Sequence, residues 1–479
     1  MDNNIKRNFI YNLAYQLTIV ILPLVTIPYV SRVLSPEGIG INSFTNANTQ
    51  YFILFGTLGI SLYANKTIAV IRDNKMKLRK TFWEIFSIQV IGCLISYIIF
   101  FITLVQNKDY GIYYLLQGFM ILSYAIDISW YFIGIEDFKK ASIRSILIRI
   151  CSVILVFVFV KKSTDLWKYI FINTFINFVG QLIMWRYLDK EIINIKHIKK
   201  MGIKKHLLPV IGLFVPQIAT QVYMVLDKTM TGLMTSTIEV GYYDQSQKIV
   251  RVVLAIVTSL GVVMLPRMSN LLANDKEDEA VYFLQKSFRF ISFLAIPLAF
   301  GIIAISNRFI PIFLGQGYEK VVLLTIISSM MIIIIGLGNV FGTQYLLAKN
   351  RVREYTISVI VGAILNFTLN LVLIPKLFSV GAVISTVIAE LVIAVIQACY
   401  SREILSCNWI KGILKYWASG FIMLVVVVGV GSLKLNEGVV LLLQILIGAI
   451  TYFAIIIILK DSMILEFIME IKYKFTGKQ

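Results

Sequence analysis

Four stretches of this chain, 85–105, 321–348, 355–375 and 438–459, contain no charged residue at all. Each is long enough to cross a bilayer as a helix, which takes about 20 mostly apolar residues. Lipid offers backbone groups no water, so a spanning segment must close its hydrogen bonds within itself, as a helix does. No motif in the chain constrains the fold more tightly. An all-α, polytopic membrane protein is expected.

Composition points the same way: 58% of residues are hydrophobic and 15% are charged, where soluble domains carry about a quarter charged. Hydropathy predicts 14 spans, at 8–30, 41–64, 83–105, 112–134, 143–160, 167–185, 207–233, 242–265, 283–305, 320–348, 355–375, 381–401, 415–433 and 439–459. The linkers are short and leave no room for a soluble domain. The first apolar block is long and lacks a small-residue cleavage pattern, so it reads as an anchor and not as a cleavable leader.

A net charge of +19 could suggest nucleic acid, but its distribution excludes it. With the N-terminus inside and the spans alternating, 28 of the 45 Lys and Arg fall on the inner side, 7 on the outer side and the rest within spans. That is the positive-inside bias, and it predicts both termini in the cytoplasm. The densest basic run, 186–205, is expected to lie against anionic membrane lipid. His197 and His206 fall in or beside it, with no carboxylate or Cys partner, and read as solvated bystanders. Cys93, Cys151, Cys399 and Cys407 show neither disulfide nor metal spacing.

A shift of 201 residues brings Gln16 onto Gln217, Gly40 onto Gly241 and Asn46 onto Gln247. The strings at 37–43 and 238–244 are alike in character, and each falls in the outer turn between the first two helices of a half. Six spans precede the basic loop and six follow it. This predicts two parallel repeats related by an axis along the membrane normal. The expected domains are a first lobe at 1–190, a basic linker at 191–206, a second lobe at 207–405, and two appended helices with a tail at 406–479.

Ionisable groups at membrane depth are costly and face a cavity or a partner. Arg251 lies about 13 Å into its span at 1.5 Å per residue. Lys248 is one turn away, with Gln245 and Gln247 beside it. The first half offers Gln16, Asn42, Asn46, Asn48 and Gln50, and Arg32 and Lys228 extend the basic set. Together these predict a polar, net positive cleft suited to an anionic headgroup bearing hydroxyls, since guanidinium and ammonium groups bind phosphate and amides bind sugar hydroxyls. Asp227, Asn366, Asn370 and Thr386 form an oxygen-only set that suits a hard cation such as sodium. Asparagines in membrane helices also join helices to one another. Asp127, Arg149 and Glu390 are further charges within spans. Trp130 reads as an interface-belt residue, and Glu136 and Asp137 as partners of nearby Lys or Arg.

Several strings are also familiar as a set: YVSRVLSPEGIG at 29–40, DISWYFIGIE at 127–136, DKTM at 227–230, VGYYD at 240–244, LPR at 265–267 and FLG at 313–315. In order and spacing they resemble bacterial polysaccharide repeat-unit flippases of the Wzx type. That resemblance implies the multidrug/oligosaccharidyl-lipid/polysaccharide superfamily, with two six-helix lobes in a V, as in the MATE transporters, plus two C-terminal helices. It implies a cargo of oligosaccharide on undecaprenyl pyrophosphate, moved across the bacterial plasma membrane by alternating access for capsule, O-antigen or exopolysaccharide synthesis. Implied partners are a polysaccharide polymerase and export machinery, with sodium or protons as coupling ion and no cofactor. Two positions depart from the lipid II flippases of that superfamily. Asn370 stands where they carry an acid, and Gln16 where they carry arginine.

Two other readings compete. A cation-coupled drug exporter of the same fold would be expected to have an acidic cleft. A membrane glycosyltransferase or polymerase would need an outer loop with catalytic carboxylates. The longest outer loop, about 306–319, carries only Arg308 and Glu319.

Overall fold

The computed structural model describes residues 3–193, 202–405 and 407–461, and every regular element among them is a helix. In chain order these are α1 (Asn3–Thr57), α2 (Ile60–Ile71), α3 (Lys75–Phe100), α4 (Gly111–Ala125), α5 (Ser129–Gly134), α6 (Phe138–Phe159), α7 (Leu166–Trp185), α8 (Lys190–Ile193) and α9 (Lys204–Met234). They continue with α10 (Thr237–Ala273), α11 (Glu277–Leu314), α12 (Glu319–Asn339), α13 (Val352–Leu377), α14 (Ser379–Tyr400), α15 (Cys407–Val430) and α16 (Glu437–Ile458). Wider π-helical turns extend α3 over Phe101–Val105 and α12 over Val340–Leu347. Twelve of the 14 expected spans each lie on one of these helices, while 41–64 runs from α1 into α2 and 112–134 is broken between α4 and α5. Among the described residues, eleven helical segments are long and apolar enough to cross a membrane.

The distribution of side chains is that of a membrane protein. On α16 the buried stripe is Val440, Gln444, Gly448, Tyr452 and Ile456, while Leu442, Leu446, Ile450 and Ile457 face outward. The inside is thus more polar than the outside, the reverse of an amphipathic helix on a soluble protein. On α3, Ile91, Leu94, Ile95 and Ile98 are likewise exposed. The chain is a multi-pass membrane protein.

The chain divides into two compact units, Met1–Gly241 and Tyr242–Gln479. In the first, α1 packs on α3, α4, α6 and α9, and α4 packs on α7. In the second, α11 packs on α12, α15 and α16, and α13 packs on α14. α9 belongs to the first unit, packed against α1, α2 and α3.

Three local expectations change. The first outer turn is not a loop, because α1 stays helical on both sides of one kinked residue, Ser35 (φ 60°, ψ 170°). Pro36 disfavours helical backbone at the residue before it and is itself at home in the first turn of a new helix. Trp130 is no interface residue. It is 2% exposed, its ring lies 5.3 Å from that of Phe82, and its Nε1–H donates to Gln89 Oε1 at 2.9 Å. His206 is no solvated bystander. It is 4% exposed, and its Nε2–H donates to Glu84 Oε2 at 3.0 Å. His197 lies outside the described residues. The pairing expected of Glu136 and Asp137 is observed, to Arg72 at 2.7 Å and Lys140 at 3.0 Å.

Candidate functional site

α4 cannot run straight into α5. The chain breaks between Ala125 and Ser129, and Asp127 caps the new start by accepting from the Ser129 N–H at 2.8 Å. The carbonyls freed by the break are met by Gln89 of α3, whose amide donates to Tyr124 O at 2.6 Å and Asp127 O at 2.8 Å. The break opens a cavity of about 470 Å³ inside the first unit, in the range of small-molecule sites. Tyr15 of α1 lines it, with Ser123, Tyr124 and Asp127 from the end of α4, Ser129 of α5, Ser142, Arg144, Ser145 and Arg149 of α6, and Asn177 and Gln181 of α7.

Two guanidinium groups and one carboxylate thus share an intramembrane cavity. Arg144 lies about 9 Å along α6 and Arg149 about 17 Å along it, at 1.5 Å per residue. The Arg149 guanidinium sits 5.8 Å from the centre of the Tyr15 ring. Arg144 forms no ion pair among the described residues, and its Nε and the Gln181 Oε1 are buried without a hydrogen-bond partner. Unmet buried donors and acceptors are costly, which marks these as groups that gain from a polar occupant. Asp127 and Arg149 were singled out by sequence. Arg144, Asn177 and Gln181 were missed. Arg144 sits at the edge of its expected span, where a charge draws no attention. The polar residues of α7 face this cavity only because α7 packs on α4.

The first-half amides also come together. Gln117 of α4 donates to Asn42 at 3.3 Å and accepts from Asn46 at 3.4 Å. Asn48 donates to Tyr114 at 2.7 Å and accepts from Thr229 of α9 at 3.0 Å. Gln16 and Arg32 are exposed on α1, and Lys228 is half-buried on α9.

In the second unit, Lys248 pairs with Asp244 at 2.6 Å, which neutralises it. Gln247 is 3% exposed and donates to Ser328 at 3.0 Å. Arg251 is exposed. Of the oxygen-only set, Asp227 is buried in the first unit and the other three in the second. There Asn370 donates to Asn366 Oδ1 at 3.1 Å, and Thr386 shares a hydrogen bond of 3.3 Å with Tyr243. Glu390 is half-buried on α14. Among the described residues, no three His, Cys, Asp or Glu side chains gather as a metal site would require. A second cavity of about 320 Å³, between α11, α15 and α16, is lined by apolar side chains, with Gln444 among them.

A curated relative, an O-antigen transporter of Escherichia coli (strain K12), is 25% identical over 409 residues, covering 84% of this chain and 97% of that protein. A second O-antigen transporter, from Shigella dysenteriae, is 20% identical over 67% of this chain and 79% of its own. Among solved structures, the lipid II flippase MurJ in its inward closed conformation matches with a TM-score of 0.74 at 19% identity, over 95% of this chain and all of that one. An inward-facing multidrug resistance MATE family transporter matches with a TM-score of 0.60 at 12% identity, over 81% and 97%. The all-α fold is therefore that of the flippases and MATE transporters. The family model described as polysaccharide biosynthesis protein matches residues 5–272, and by that match over more than half its length the chain belongs to the polysaccharide biosynthesis protein family.

Proposed function

We propose that this protein is a transporter that moves a lipid-linked oligosaccharide from the inner to the outer leaflet of a bacterial plasma membrane, with both termini in the cytoplasm. The observation that carries this reading is the first-unit cavity. It brings two guanidinium groups together with one carboxylate, and among its lining atoms Arg144 Nε and Gln181 Oε1 are buried without a hydrogen-bond partner. Arginine binds phosphate oxygens in a bidentate way, and the serine hydroxyls and the Asn177 and Gln181 amides suit sugar hydroxyls. The apolar cavity of the second unit suits a hydrocarbon chain. The names of the curated relatives and the flippase-like fold support the same cargo. Arg251, exposed on α10, is a further candidate for the cargo phosphate, with Lys248 the weaker one because Asp244 engages it. The net positive cavity argues against export of cationic drugs.

The test is substitution within the cavity. Arg144→Ala is expected to lower transport by about 10- to 100-fold while the protein stays in the membrane, on a loss of roughly 1.5–3 kcal/mol for a hydrogen bond to a charged group. Arg144→Lys is expected to fall between the two. Transport at the parental rate in Arg144→Ala would remove the cavity from the pathway. Coupling to sodium through Asp227, Asn366, Asn370 and Thr386 is part of the same proposal. A parental transport rate indifferent to an imposed sodium gradient would end that part alone.

A further inference from the structure

The cavity of the first unit leaves one donor and one acceptor unmet, Arg144 Nε–H and Gln181 Oε1. The two residues stand level with each other on facing helices. α6 and α7 run antiparallel, and across their seam Ser152 donates to Asn173 Oδ1 at 2.8 Å. Toward the start of α6, the Arg144 stem passes Gly180 of α7, where an added Cβ would fall 3.6 Å from Arg144 Cδ. Gln181 follows Gly180 directly. Yet the two polar atoms do not bond to each other, and neither finds another partner among the described residues.

A group set between them must accept from Arg144 and donate to Gln181. A hydroxyl does both. An ionised phosphate only accepts, and would set its oxygens against the Gln181 carbonyl. The charges agree. Asp127 lies at this end of the cavity, because the carbonyl just before it, Ile126 O, accepts at 2.9 Å from Trp185 Nε1, one turn past Gln181. Arg144 and Asp127 therefore offset each other here. The other end differs. Arg149 lies five residues beyond Arg144 on α6, about 7.5 Å at 1.5 Å per residue, and the antiparallel register sets it level with Asn177. Its guanidinium rests 5.8 Å from the centre of the Tyr15 ring. Among the described residues, Asp127 is the one carboxylate in the lining. A guanidinium at membrane depth with no carboxylate beside it calls for an anion, and its fork fits phosphate oxygens.

We infer that the cavity holds two subsites. Arg144 and Gln181 read a hydroxyl of the cargo's sugar, and Arg149 holds its phosphate. The assignment rests on the transport reading above and adds a selection step to it. A cargo with no hydroxyl at the first subsite leaves both of its groups unmet, which is costly enough to reject that cargo.

Two probes test this on the purified full-length protein in detergent: a polyprenyl pyrophosphate carrying one hexose, and the same pyrophosphate without sugar. The parent is expected to bind the sugar-bearing probe about 10- to 100-fold more tightly, the scale set by buried polar groups that the bare probe leaves unmet. Gln181→Met is expected to remove most of that preference. Arg149→Met is expected to weaken both probes by about ten-fold or more and to keep the preference. Gln181→Glu answers Arg144 from within the protein. It is expected to melt no lower than the parent and still to lose the preference, which keeps the test open should Gln181→Met fail to fold. A parental preference in either Gln181 variant that folds, as a bridging water in place of a sugar would leave it, overturns the assignment. So does a loss in Arg149→Met confined to the sugar-bearing probe. A parent that binds both probes equally overturns the subsites alone, whereas a parent that binds neither overturns the transport reading and the subsites with it.

Discussion

Glu84 is the clearest case of what single residues do here. Its side chain has no exposed surface, yet it carries a charge that three donors meet. These are the Gly202 N–H at 2.6 Å, Lys205 Nζ at 2.8 Å and His206 Nε2 at 3.0 Å. Since the carboxylate can only accept, His206 Nε2 carries the hydrogen. In the neutral ring, Nδ1 then accepts from the Tyr63 hydroxyl at 2.6 Å. The carboxylate thereby ties the segment entering α9 to α3, and Tyr63 extends the tie to α2. Glu84→Ala would strand the Gly202 and His206 donors, so a loss of about 2–3 kcal/mol is expected, with Glu84→Gln near half of that. Thermal unfolding of detergent-purified variants checks this. Equal melting of parent and Glu84→Ala would contradict the assigned role. Sequence could not reveal the tie, because Glu84 stands at the edge of an apolar run and its partners lie more than a hundred residues away, in a basic run that reads as membrane-surface charge. By contrast Asp127 and Arg149 were legible as intramembrane charges, because a charge inside an apolar block is conspicuous wherever its partner sits.

At the scale of elements, helix identity was readable from hydropathy alone, since each apolar block has one structure open to it in lipid. What hydropathy does not encode is where a helix breaks. The α4–α5 break depends on Gln89, a neutral residue in an otherwise apolar span, whose amide meets two freed carbonyls and accepts from Trp130. The tryptophans beside it are satisfied in the same way: Trp185 donates to Ile126 O at 2.9 Å and Trp83 to Ile192 O at 2.8 Å. An indole N–H buried in a helix bundle needs such a partner, so Trp130 and Trp185 pin the break, while Trp83 ties α3 to α8. Gln89→Leu keeps the volume but leaves those groups unpaired. It is expected to lower stability by about 1–3 kcal/mol per unpaired group and, by disturbing the break, to impair transport. A Gln89→Leu protein that unfolds and transports like the parent would show that the break holds itself.

For the whole molecule, Gly40 and Gly241, which the 201-residue offset pairs, lie in close backbone contact within the first unit. The boundary between compact units was not legible. It follows tertiary contacts of α9 with α1, α2 and α3 and falls well past the basic loop that marks the sequence halves. The candidate site was half legible. The choice of a basic, amide-rich interior came from sequence, but the emphasis on Lys248 and Arg251 did not anticipate that α6 and α7 turn Arg144, Arg149, Asn177 and Gln181 into one cavity. Short-range spacing says which residues share a helix face, and only packing says which faces meet.

The most direct measurement of the account is flipping in reconstituted proteoliposomes. A lipid-linked oligosaccharide placed in one leaflet is followed by its accessibility to a sugar-cleaving enzyme on the other side. The parent protein is expected to speed the appearance of cargo on the far side well above protein-free liposomes, and Arg144→Ala to lose most of that gain. Cargo that crosses no faster with the protein than without it, from vesicles that expel a cationic drug, would contradict the account and favour the drug exporter.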